Sequence, residues 1–111
     1  MTFLVEKDRV QINTQTENYT LTIEDGAGMV EMNNANARTI TVDTNANISF
    51  PIGTQIVLVR KGTGSVQVVA AGGVTINSVG SNTFIASQYA GATLVKVATD
   101  TWYLFGDLTG A

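Results

Sequence analysis

Apolar and polar residues alternate along this chain in short runs, and clusters of Asn, Gly, Asp and Ser separate the runs. Tyr19-Thr20-Leu21-Thr22-Ile23 is the first clear run. A period of two is the pattern of a strand with one face buried. Glu24 to Gly28 breaks it, and Met29-Val30-Glu31-Met32 resumes it. After the polar turn Asn33 to Ala37, Arg38-Thr39-Ile40-Thr41-Val42 alternates strictly. Asp43 to Asn47 turns the chain into Ile48-Ser49-Phe50, which the only proline, Pro51, closes. Proline lacks an amide donor and restricts the residue before it, so Phe50 is expected at a strand end or sheet edge.

Gln55-Ile56-Val57-Leu58-Val59-Arg60 is nearly continuous in apolar residues and reads as a central strand. Lys61-Gly62-Thr63-Gly64 reads as a hairpin-type turn into Ser65 to Ala70. Val74-Thr75-Ile76 and Thr83-Phe84-Ile85 are shorter candidates on either side of a Ser, Gly and Asn loop, Asn77 to Asn82. Ala92 to Ala98 and Thr101 to Phe105 form the last pair, joined at Thr99-Asp100. Only Ile85 to Ala90 and the first sixteen residues could hold a turn of helix. Short strands with turn signals every eight to twelve residues predict a sandwich or barrel. No internal repeat, heptad or linker is visible, so one domain is expected, over 19–111. Residues 1–18 read as an N-terminal arm or as a first strand.

Composition narrows the chemistry. At 111 residues the chain can bury a real core but not two. It has no cysteine, which removes disulfides and thiolate chemistry, and no histidine, which removes the usual proton shuttle near neutral pH. A net charge of −3 with scattered Lys and Arg argues against nucleic acid as a partner. The N-terminus lacks a basic start followed by a long apolar run, and no stretch approaches the ~20 apolar residues of a membrane span. A soluble protein made in the cytoplasm of the expressing cell is expected. Charged residues make up only 14% of the chain, so its surface is rich in uncharged Thr, Asn, Ser and Gly. Such a surface suits close packing against protein copies or sugars, and strand and turn preferences account for it equally.

No catalytic arrangement emerges. Glu24, Asp25, Glu31, Asp43, Asp100 and Asp107 are the carboxylates tested as an acid pair, and most fall in turns, where they serve the backbone. Asp43-Thr44-Asn45-Ala46-Asn47 opens like a calcium loop, but Ile48 and Thr54 stand where that loop needs glycine and a bidentate glutamate. An Asx-rich turn is the expectation. Gly26-Ala27-Gly28 and Gly62-Thr63-Gly64 lack a third glycine and a following helix, so neither cradles phosphate. The sequons at Asn18 and Asn47 carry little without a secretory signal. A non-enzymatic protein without cofactor or metal is expected.

The aromatic residues offer a different role. In the last strand Trp102 and Leu104 share one face, and Tyr103 and Phe105 share the other. One pair belongs in the core; the other is a candidate for a subunit interface, where aromatics are enriched. Tyr89, Trp102 and Tyr103 are the alternative candidates for stacking on a glycan.

Three segments, in this order and spacing, resemble a β-domain of tailed-bacteriophage virion proteins. They run from Gly28-Met29-Val30-Glu31-Met32-Asn33-Asn34-Ala35 to Phe50-Pro51-Ile52-Gly53-Thr54-Gln55-Ile56, from Gly64-Ser65-Val66-Gln67-Val68 to Gly73-Val74-Thr75-Ile76-Asn77, and from Gln88-Tyr89-Ala90-Gly91-Ala92 to Asp107-Leu108. The similarity spans about residues 19 to 108. It implies a virion structural module, found in tail fibres and as stand-alone head proteins, commonly trimeric and without a catalytic motif. The expected fold is an all-β, single-domain β-sandwich, jelly-roll-like, of short antiparallel strands. Standing almost alone here, the module is expected to be a capsid decoration (cement) protein on the virion surface. Its expected partners are two further copies and the major capsid protein or other virion proteins. Phe3, Leu4, Val5, Val10 and Ile12 of the arm, with Tyr103 and Phe105, are the candidate contacts. The alternative is a receptor- or glycan-binding module of a tail or head fibre.

Overall fold

The computed structural model describes residues 9–111. They form eleven strands in two sheets packed over one core. The strands are β1 (Ile12–Gln15), β2 (Tyr19–Thr20), β3 (Met29–Met32), β4 (Arg38–Val42), β5 (Gln55–Arg60), β6 (Val66–Ala70), β7 (Thr75–Asn77), β8 (Phe84–Ile85), β9 (Gly91–Ala98), β10 (Thr101–Gly106) and β11 (Leu108–Thr109). One sheet has the order β1-β3-β5-β9-β10-β7, the other β11-β8-β6-β4-β2. The all-β, two-sheet expectation is what the structure has.

The expected antiparallel pairing holds only in part. From β1 to β6 the chain alternates between the sheets, and each strand lies parallel to the strand two places on. The first half is therefore a short coil, in which each turn lays one strand in each sheet. A single strand runs against the rest in each sheet: β9, antiparallel to β5 and β10, and β8, antiparallel to β6 and β11. This differs from a jelly roll, which is built from two antiparallel Greek keys. The register shows why no repeat is visible in the sequence. Ile12 pairs Met29 and Met29 pairs Val57, so the stride changes from one turn of the coil to the next.

The corner after β5 is not the expected hairpin, because β5 and β6 lie in different sheets. It stacks instead on the corner after β3. The amide of Gly62 donates to the carbonyl of Met32 at 3.1 Å, and that of Gly64 to the carbonyl of Asn34 at 2.8 Å. A Cβ at Gly62 would run into the backbone of Asn34, and one at Gly64 into the backbone of Asn36. These glycines are needed for close approach of two stacked corners. Tyr19 and Thr20 are the only strand residues of the run read as Tyr19–Ile23, since Ile23–Asp25 forms a 3₁₀ turn. Ile48 to Phe50 belongs to the β4–β5 connection and forms no strand.

Alternation decides the core. Val30 and Met32, Ile56 and Leu58, Leu94, Trp102 and Leu104 fill it from the six-stranded sheet. Ile40, Val42, Val66, Val68 and Ile85 face them from the other. Phe50 meets Trp102 edge-on, with ring centroids 5.4 Å apart. Burying such a set supplies most of the drive for folding in a chain without disulfides.

Candidate functional site

The outward residues of the six-stranded sheet make the most distinctive surface. Register places Ile12, Met29, Val57, Thr93 and Phe105 in one row across β1, β3, β5, β9 and β10. Val95 and Tyr103 lie in the neighbouring row, with Val97 beyond. Ile12 is 63% exposed, Phe105 55% and Tyr103 43%. Tyr103 and Phe105 contact each other edge-on, at 5.9 Å between centroids. At the start of β5 the same face opens into a shallow groove of about 650 Å³, walled by Val10, Ile23, Pro51 and Val57 among others. Val79 extends the apolar area beside Tyr103 and Phe105 at the opposite side.

This face is nearly free of charge. Glu31 is the one side chain charged at neutral pH on its described outward strand positions. Its Oε1 accepts from Thr14 Oγ1 at 2.6 Å and from Lys61 Nζ at 3.2 Å. The hydroxyl of Thr14, aided by the ammonium of Lys61, holds the Glu31 carboxyl below its ordinary 4.5. A broad, nearly uncharged surface with exposed aromatics has a composition common at protein contacts.

The carboxylates occupy structural positions. Asp25 is buried and accepts from Asn13 Nδ2 at 2.9 Å, Tyr19 Oη at 2.8 Å and the Thr22 amide at 2.8 Å. Burial, and then acceptance by Asp25, push the Tyr19 hydroxyl above its usual 10.0. Asn13 and Gln15 occupy the positions of β1 that register beside the buried Val30 and Met32 of β3. Gln15 Nε2 donates to Asn13 Oδ1 at 2.8 Å. The end of the coil is thus closed by a hydrogen-bonded polar layer, as terminal repeats of stacked folds require. Asp43 Oδ1 accepts from the Thr44 amide and Asn47 Nδ2 and so braces the expected Asx-rich turn. Asp100 Oδ1 takes the Asn45 amide. No group of three or more metal-ligating side chains occurs among the described residues.

Of the candidate contacts, Ile12, Tyr103 and Phe105 come together on one face, and Val10 lines its groove. Phe3, Leu4 and Val5 lie outside the described residues. Trp102 is only 1% exposed and packs on Phe50, so it offers no stacking surface to a glycan. That expectation is corrected: Trp102 is the core member of the alternating pair. Tyr89 is 75% exposed at a corner, with φ 68°, and Tyr103 remains open. The sequence reading missed Met29, Val57 and Ile23 as surface residues of the face. The available signal was the near-continuous apolar run Gln55–Arg60, which has apolar residues for both faces of β5.

It also missed Lys96, which is buried and donates to Asn45 Oδ1 at 2.6 Å and the Phe50 carbonyl at 2.7 Å. Its lone charge within an apolar alternation was the available signal. Compared with known proteins, the chain matches no family model, no curated protein and no solved structure.

Proposed function

We propose that this chain is a structural component of a tailed-phage particle, a decoration protein whose six-stranded sheet lies against the assembled capsid. The observation that carries the proposal is the nearly uncharged outward face of that sheet, with Ile12, Tyr103 and Phe105 exposed together. The sequence resemblance supplies the particle as the setting. A protein that binds the assembled shell and not its free subunits stabilises the shell by linkage, and the effect multiplies over many copies. Such a role needs a wide contact face, and no pocket chemistry.

Adding purified protein to undecorated particles tests this. Saturable binding to heads, reduced at least tenfold by Phe105→Lys, is expected. Density confined to the tail in a cryo-EM map, or no binding to heads, overturns it. The second reading, a glycan-binding fibre module, is favoured by one observation, the strongly exposed Tyr89 on its corner. Glycan-array binding abolished by Tyr89→Ala, without head binding, would establish that reading instead.

A further inference from the structure

The sheet edges of the coil are covered at one end and unpaired at the other. Beyond β5 and β6 the reversed strands β9 and β8 cover the sheet edges, but β1 and β2 end their sheets with nothing beyond them among the described residues. Free edges are normally blunted by brevity, proline, lysine or a bulge. The edge strands β2 and β11 have two residues each and β7 has three, so brevity protects them. β1 has four residues, Ile12-Asn13-Thr14-Gln15, with neither charge nor proline and an unbroken register on β3.

The direction of its backbone groups is fixed. The carbonyls of Gln11 and Gln15 accept from the amides of Met29 and Asn33. Peptide groups alternate along a strand, so those of Ile12 and Thr14 point to the open edge. An antiparallel copy of the same strand satisfies them when Ile12 stands opposite Thr14 of the second copy and Asn13 lies on the two-fold axis. That register has a consequence beyond the strand: it brings the end of the chain bearing Arg9 toward the end bearing Glu17 of the other copy. Both residues are exposed; Glu17, 75% exposed in its side chain, pairs with Arg38 of its own copy at 3.2 Å. Arg9 of one copy therefore approaches the exposed carboxylate of the Glu17–Arg38 pair of the other at both ends of a seam whose strand residues are uncharged.

We propose that two copies of this chain join through antiparallel pairing of β1 with β1, which continues the six-stranded sheet across a two-fold axis. The contact is isologous, so one patch serves both partners. It uses an edge and leaves the outward face free for another partner. The symmetry is two-fold, in place of the three-fold order that the resemblance implies.

Light scattering on the full chain should give twice the 11.7 kDa of one copy. Ile12→Pro removes an outward amide without touching the bonds to β3 and should give a monomer. Arg9→Glu, outside every strand, should raise the dimer dissociation constant about tenfold by setting like charges together at both ends. Combining it with Glu17→Arg should restore pairing to within about threefold. Phe105→Lys should leave the mass unchanged, whatever it does to particle binding. A monomeric or trimeric wild type, a dimeric Ile12→Pro, failure of the charge swap to restore pairing, or loss of the dimer in Phe105→Lys would each overturn the proposal.

Discussion

Lys96 Nζ donates to Asn45 Oδ1 across 2.6 Å and so ties the middle of β9 to the connection between β4 and β5. The same ammonium takes the Phe50 carbonyl, which places the Phe50 ring against Trp102. Lys96→Met keeps the volume but orphans the buried Phe50 carbonyl and the half-buried Asn45 Oδ1. It should cost about 2 kcal/mol in denaturant unfolding, because an unsatisfied buried acceptor loses its full desolvation energy. Amide exchange over 43–50 should accelerate in the same variant.

Tyr19 and Asp25 form the inner bond of the polar end layer. Tyr19→Phe should destabilise by about 1–2 kcal/mol, the cost of leaving the buried Asp25 carboxylate short of a donor. The Tyr19 hydroxyl is raised above 10.0 in the folded chain. Its contribution is therefore fully present below about pH 10 and is lost as pH rises further, since the unfolded chain releases that proton first. The alkaline limb of a stability–pH profile should flatten in Tyr19→Phe.

Glu31 behaves in the opposite sense. Its folded pKa lies below 4.5, so its contribution is present above that value and disappears as pH falls through the folded pKa. Glu31→Gln should reduce the acid dependence of unfolding below about pH 5 and lower stability at pH 7 by the same amount, which is small because the site is partly solvated. Equal acid limbs in the two proteins would contradict the assignment.

Two glycines make a contrast. Gly64→Ala forces a methyl into the backbone of Asn36 and should destabilise by roughly 3 kcal/mol or fail to fold. Gly72 has open space around the same position. Gly72→Ala should stabilise slightly, by about 0.5 kcal/mol, through the unfolded chain's lost freedom. Thermal unfolding of both variants side by side checks the stacked-corner geometry.

The sequence made some of this legible and concealed the rest for physical reasons. Alternation located β3, β4, β5, β6, β9 and β10, because each buries one face against the same core. It could not report partners: Arg38–Val42 reads the same whether Val66–Ala70 runs parallel or antiparallel to it. The glycines at 62 and 64 looked like a hairpin because a tight turn and a stacked corner both favour glycine. On the exposed face, Tyr103 and Phe105 were visible by parity with Trp102. Ile12 was a candidate contact as an apolar residue of the arm, but the row joining it to Phe105 exists solely in the register of five strands. Lys96 was hidden because its acceptors lie 51 residues away at Asn45 and 46 away at Phe50.

The reversed strands β8 and β9 have a consequence for the order of events during synthesis. The coil laid down first by β1 to β6 presents unfinished edges on both sheets until β8 and β9 arrive. Ala92, Leu94, Trp102 and Leu104, which complete the core, all come from the final part of the chain. A nascent chain halted before Gly91 would expose the apolar flank of β5 to every neighbour, so the residues from Gly91 onward act as its closure. Stalled or C-terminally truncated chains should accordingly be the species that chaperones and proteases find first.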